Sequence, residues 1–246
     1  MHTRFIVSVI ASLAILLVQV SVSFAQSTST RPVVTLSETA LNKYIIRIGK
    51  EVEKDWVSQT DVNVSFPNGL YVDLWGSTGF DGKENFGREI DITAGWANRH
   101  FDFGVSYYKL IPLNDISAGL MDIYAETHHI LKFGDHTMTP YVKVDGMIAL
   151  KDVGDNSGFI GAVGMRHAWQ LNKTFSLSQG LEFLYHTPIF HSDSGMEGRY
   201  DMAFNIGLSK SIVLSPIVLR VATPISHMHD RKLSEAFGGR VTMTFR

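Results

Sequence analysis

The amino-acid sequence predicts an all-β chain: a transmembrane, antiparallel, up-and-down β-barrel of about 12 strands with short periplasmic turns and long outer loops. Three observations lead there. Apolar and polar residues alternate along most of the chain, connections alternate between short and long, and the chain opens with an export signal.

The signal comes first. A basic start ending at Arg4 precedes an apolar run over 5–24, and Ser23 and Ala25 occupy the −3 and −1 positions of a small-x-small cleavage site before Gln26. Residues 1–25 therefore read as a signal peptide, 26–40 as a periplasmic segment leading into the first strand, and 41–246 as the barrel. An uncleaved anchor helix is the alternative, and Gln19 interrupts the run it would need. Position 26 is not cysteine, so no lipid-modified N-terminus is expected. The 246 residues contain no cysteine, which excludes a disulfide framework for this exported chain. A net charge of −2 and unclustered Lys and Arg argue against a nucleic-acid partner. After the signal no 18-residue apolar run recurs, so no later transmembrane helix is expected.

The strand pattern is clearest in "REIDITAGWANRHFDFGVSYYKL". Ile90, Ile92, Ala94 and Trp96 alternate with Glu89, Asp91, Thr93 and Gly95, and Phe101, Phe103, Val105 and Tyr107 repeat the pattern after four residues. Two strands joined by a tight turn follow from that. Further strands are expected near 56–66, 70–77, 120–133, 139–148, 158–169, 174–185, 199–208, 212–222 and 236–245, with a first one ending near Ile48. The short connections are "PNG", "ANRH", "GDHTM", "LNK" and "SKS"; the long ones include "GKEVEKD" after the first strand and the segments 186–198 and 223–235. Phe66, Trp96, Phe101, Phe133, Tyr141, Trp169 and Phe175 all lie near a short turn, as an interfacial aromatic ring requires.

In a soluble sandwich the Ile90/Trp96 face would be buried; in a membrane barrel it meets lipid and the polar face encloses the lumen. The export signal and the even strand number favour the second arrangement. Parity then places Asp61, Asp73, Glu89, Asp91, Asp102, Asp122 and Glu126 inward on the second to sixth strands. Lys143, Asp145, Arg166, Glu182, Asp201, Arg220 and Arg240 point inward on later strands, and Arg47 joins them from the first strand, next to the last. An acidic arc thus faces a mixed arc that carries the bases. Such a lining sets a transverse field that orients dipolar solutes; alternatively, the charges meet and fill a narrow barrel with salt bridges.

The blocks "NKYIIRIG", "NGLYVDLWGSTGFDG", "REIDITAGW", "FDFGVSYYKL" and "DIYAE" resemble, in that order, the TorF-type porin family of proteobacteria, over about the first half of the mature chain. The resemblance implies an outer-membrane barrel and leaves the solute open. Two departures stand out: an extra residue in "YIIRIG", and Phe245 standing penultimate instead of terminal.

Candidates for chemistry are few. His191 lies beside Ser192, Asp193 and Ser194, the residue types of a serine hydrolase, but on a long outer loop. His227 and His229, with Asp230, supply two imidazoles at i and i+2, with His186 and His191 in a neighbouring loop; zinc needs three or four ligands. Of the adjacent His128 and His129, one must face the lumen, and His128 shares the parity of Asp122 and Glu126. "GFIGAVG" lacks the Lys-Ser/Thr of a phosphate loop. The expectation is a passive channel for small hydrophilic solutes, not an enzyme, with no cofactor or metal; the alternatives are an outer-membrane barrel enzyme acting on lipids, through His191, or a closed structural or adhesive barrel. The channel's partners are outer-membrane lipids and small polar solutes, and the residues lining it are Arg47, Asp73, Glu89, Asp91, Asp102, Asp122, Glu126, Lys143, Arg166, Arg220 and Arg240.

Overall fold

A computed structural model describes residues 31–80, 89–110, 119–151, 157–189, 193–225 and 233–246. Their regular structure is all strand: β1 (Val33–Leu41), β2 (Tyr44–Ile45), β3 (Glu51–Glu53), β4 (Val57–Ser65), β5 (Leu70–Gly79), β6 (Glu89–Ala97), β7 (Phe101–Leu110), β8 (Gly119–His128), β9 (Leu131–Phe133), β10 (His136–Lys151), β11 (Gly158–Gln170), β12 (Phe175–His186), β13 (Gly195–Gly207), β14 (Ile212–Pro224) and β15 (Ser234–Phe245). Twelve of these form one antiparallel meander that closes when β1 pairs with β15, from Val34 opposite Phe245 to Leu41 opposite Gly238. Among the described residues closure leaves the twelve-stranded ring without an open edge strand, which is what hydrocarbon demands of a spanning sheet. β9 only flanks β10, and β2 pairs with β3 apart from the main sheet.

Alternation sorts the two faces as a membrane requires. Ile90 and Ile92 are half exposed on the outside, whereas Glu89 on the same strand is 6% exposed and turned inward. Leu70, Val72, Leu74, Phe103, Val105, Ile123, Val142, Val163, Leu181, Phe183 and Ile217 continue the outer apolar belt. Short turns close the opposite end from the long loops. At one of them Gly69 adopts φ 90°, its amide donates to the Phe66 carbonyl, and the Asn68 side chain accepts from the Leu70 amide, so Pro67-Asn68-Gly69 reverses the chain within three residues. Phe66, Phe133, Trp169 and Phe175 are exposed near these turns, and Trp96 packs on Phe103 with centroids 5.2 Å apart. Tyr141 departs from that ring: it faces the lumen and donates to Glu182 Oε2 at 2.9 Å.

Two expectations about strands are corrected, and one expected strand carries a bulge. The first strand is Val33–Leu41, so it begins inside the stretch read as a periplasmic lead-in and ends well before Ile48. The single strand expected over 120–133 is β8 and β9, interrupted at 129–130. In β14 the register slips between Ser215 and Val218, around Pro216. Pro has no amide to give a ladder, so the bulge accommodates it. Ser215 can then point inward and donate to Asn205 Oδ1 at 2.7 Å, while Val218 also faces in.

Candidate functional site

The stretch between β1 and β4, on the long-loop side, folds into the lumen. A tight reversal makes this possible: the Ile46 amide donates to the Lys50 carbonyl, the Gly49 amide donates to the Ile46 carbonyl, and Gly49 takes φ 75°. A side chain at Gly49 would suffer both the left-handed backbone and a Cβ 2.9 Å from Glu197 Oε2. Ile48, fully buried, packs among Leu120, Met147, Ile160, Ala162, Leu184 and Ile189 on one side of the barrel. Tyr44 packs with Leu41, Val57, Ala203 and Val218, and Ile45 with Ala222 and Ala236, on the other. The segment therefore crosses the lumen as a strap, and inward positions near the strands' outer ends are apolar because they cover it.

Polar contacts fix the strap where it meets the charged wall. Arg47 Nη1 donates to Asp145 Oδ2 at 2.5 Å, and its Nε and Nη2 donate to the two oxygens of Glu182 at 3.3 and 3.2 Å. Burial pulls the Arg47 guanidinium down, but Asp145 and Glu182 outweigh it and hold its pKa above the usual arginine value. The Tyr44 hydroxyl donates to Glu89 Oε2 at 2.5 Å. Burial, followed by the Glu89 charge, raises that phenol well above its ordinary value, so it stays a donor.

Below the strap the walls keep two cavities. The smaller, about 450 Å³, is bordered by Asp73, Asp102 and Asp122 together with Tyr71, Tyr108, Tyr124 and Lys143. Tyr71 donates to Asp102 at 2.8 Å and Tyr108 to Asp122 at 3.1 Å; Lys143 lies 4.5 Å over the Tyr124 ring and 2.9 Å from Asp145. Tyr71, Tyr124 and Tyr141 lie against Gly95, Gly104 and Gly164, their cross-strand neighbours, where a Cβ would come within 3 Å of the ring. Glycine opposite tyrosine thus lets the rings lie flat on the wall. The larger cavity, about 770 Å³, is bordered by Tyr44, Trp75, Asp91, Arg47, Arg166, Arg199, Arg220 and Arg240, among others.

The sequence-predicted residues divide between these surroundings. Asp73, Asp102, Asp122 and Lys143 border the smaller cavity; Arg47, Asp91, Lys143, Arg166, Arg220 and Arg240 border the larger. Glu89 and Glu126 border neither. Glu89 accepts from Tyr44, and the two Glu126 oxygens accept from Arg166 Nη1 and Nη2 at 2.7 and 2.6 Å, with the guanidinium 4.1 Å above the Tyr141 ring. His128 sits 3.2 Å from Glu126, while His129 stacks on His100. Arg47 reaches its place from the strap and not from the first strand, because that strand has already ended. Sequence reasoning missed Arg199, although it shares the parity of Asp201, and Tyr71 and Trp75, although they share the parity of Asp73; of the lumen aromatics it assigned Tyr141 to the interface. His191 and Ser192, together with His227, His229 and Asp230, lie outside the described residues. Among the described residues no group of three or more His, Asp or Glu is placed to hold a metal.

No family model and no curated protein matches the sequence. Solved structures do match the fold. The KdgM porin in complex with disordered oligogalacturonate superposes with a TM-score of 0.52 at 9% identity, covering 88% of this chain and all of that one. An outer-membrane channel from Pseudomonas putida gives 0.51 at 9% identity, covering 92% and 100%. The NanC porin gives 0.51 at 9%, covering 86% and 98%. At these identities the likeness is one of architecture: the chain has the fold of small outer-membrane barrels.

Proposed function

We propose that the chain is an outer-membrane, porin-like channel for passive diffusion of small hydrophilic solutes, exported by its N-terminal signal and akin to the TorF-type porins. One observation carries this reading: a closed sheet with its apolar side outward encloses a charged wall of both signs and a cavity of about 770 Å³. Neighbours of the same architecture, described as porins, support it. The residues that line the path are Arg47, Asp73, Asp91, Asp102, Asp122, Lys143, Arg166, Arg220 and Arg240, with Glu89 and Glu126 acting through their partners. Solute moves down its gradient and no chemical step occurs.

Reconstitution in planar bilayers tests this. Folded protein should give discrete current steps, and neutralising Arg166, Arg220 and Arg240 to Gln should shift the ion selectivity toward cations. A second reading, a closed structural barrel, is favoured by the strap that fills the outer lumen. Absence of current steps from correctly folded protein would establish that reading and overturn the first.

A further inference from the structure

The larger cavity has two chemically opposite walls. Asp91 stands on β6, with Trp75 beside it on β5 and Tyr44 on the strap; the Tyr44 and Trp75 rings are 5.7 Å apart and tilted by 46°. Arg199, Arg220 and Arg240 stand on β13, β14 and β15. In the closed ring β6 and β13 are six strands apart either way round, which is diametrically opposite. A carboxylate beside the Trp75 ring therefore faces Arg199 directly across the cavity, with Arg220 and Arg240 five and four strands round from β6; Tyr44, which packs on Ala203 and Val218 as well as against Trp75, lies between the two walls.

The charges on the two walls are only partly satisfied by each other. Arg199 lies 3.8 Å from both Glu182 and Asp201, and Arg220 lies 3.7 Å from Asp201 and donates to Gln59 at 3.1 Å. Among the described residues neither Asp91 nor Arg240 takes part in a close ion pair: the Asp91 carboxyl shares a hydrogen bond with that of Glu89, and Arg240 feels Asp61 and Asp201 only at longer range. The arginine wall is matched to a carboxylate, which guanidinium groups bind with directed, charge-assisted hydrogen bonds. The opposite wall is matched to an ammonium group, since a cation gains from both a carboxylate and the faces of Trp and Tyr rings. A monoanion satisfies one wall and is repelled by the other, and a monocation does the reverse. A neutral solute satisfies neither.

We infer that the cavity selects small zwitterions, molecules that carry an ammonium and a carboxylate a few bonds apart, such as short amino acids and betaines. The ammonium lies toward Asp91, Trp75 and Tyr44, and the carboxylate toward Arg199, Arg220 and Arg240. A cavity of about 770 Å³ accommodates a solute of that size with water around it. Each wall binds weakly, as passage requires. The inference deepens the channel reading and rests on it for transport, although binding is measurable without transport.

Two measurements on the full, folded protein separate the two claims. In liposome swelling, alanine should enter several-fold faster than its size-matched relatives lactate, lactamide and alaninamide. Asp91→Asn should abolish the advantage over lactate, and Arg220→Gln with Arg240→Gln the advantage over alaninamide. In parallel, a variant with Trp56, Trp96 and Trp169 changed to Phe leaves Trp75 as the sole reporter, whose fluorescence should saturate with glycine betaine and not with an equal concentration of lactamide. Swelling with all four solutes at equal rates would overturn the inference and leave the channel intact. A saturating Trp75 signal without swelling for any solute would keep the site and overturn the channel. A flat Trp75 signal in detergent-folded protein would overturn the site.

Discussion

Arg47 ties the strap to the barrel wall. A guanidinium taken from water is costly unless its fork is matched, and here Asp145 and Glu182 occupy it from two strands. Replacing it with Gln keeps much of the packing and removes the charge. Removing one partner of a buried pair costs about 3–5 kcal/mol; because Lys143 remains 2.9 Å from Asp145, the loss should fall below that range. Arg47→Gln should therefore leave a folded barrel whose single-channel conductance is higher and noisier than that of the parent, as the strap loses its anchor to the wall. Unchanged conductance would mean that the strap is held by its apolar packing alone. The glycine and tyrosine pairs are equally sensitive to a single added methyl group. A Cβ at Gly95 would lie 2.6 Å from the Tyr71 ring and 2.8 Å from the Phe103 carbonyl. Gly95→Ala should cost about 1–3 kcal/mol, read from urea unfolding in lipid vesicles. Adding Tyr71→Ala should recover only part of it, since the carbonyl contact survives.

In the channel reading, the strap sets how wide a path the barrel offers. Replacing residues 43–54 with a short Gly/Ser linker removes Tyr44, Ile45, Arg47 and Ile48 while leaving the β1–β4 pairing, nine residue pairs from Val33 opposite Ser65 to Leu41 opposite Val57. The shortened protein should still fold, and its size limit in liposome swelling should rise to larger sugars; an unaltered limit would place the constriction elsewhere. This element was also where the sequence was hardest to read. Strands such as β6 and β7 were legible because lipid on one side and water on the other impose a strict period of two. "YIIRIG" resisted, because an apolar run with one arginine reads equally well as the end of a strand or as a segment buried inside the barrel. The signal that separates the two lay in the strands, not in the run. Leu120, Met147, Ile160 and Leu184 are apolar at inward parity near the outer ends of β8, β10, β11 and β12, and something apolar must cover them. Charge parity was legible for most of the lining, since Asp and Arg are costly on a lipid-facing position. Aromatic parity was not, because Tyr and Trp suit an interface and a lumen wall equally.

For the whole molecule, the decisive property is which side of the closed sheet meets hydrocarbon. Adjacent residues on one strand make an internally controlled test of it, since they share height, backbone pairing and neighbours but project to opposite faces. On β6, Ile92 is 50% exposed on the outer face, and Thr93, the next residue, donates to or accepts from Ser106 at 2.8 Å on the inner one. An arginine at Ile92 must place its charge in lipid, at a cost of about 2–4 kcal/mol near the midplane of a barrel. At Thr93 the same side chain meets an aqueous, largely acidic wall that includes Asp73 and Asp102, which border the same cavity. Folding free energies in lipid vesicles should therefore fall by that amount for Ile92→Arg and change by less than about 1 kcal/mol for Thr93→Arg. A soluble sandwich with Ile92 in its core would also reject the first change, so the second measurement separates the two folds: in lipid-free buffer the parent barrel should aggregate, because its outer belt then has no apolar solvent. A parent chain that stays monomeric without detergent would reverse the assignment of inside and outside, and every lining residue with it.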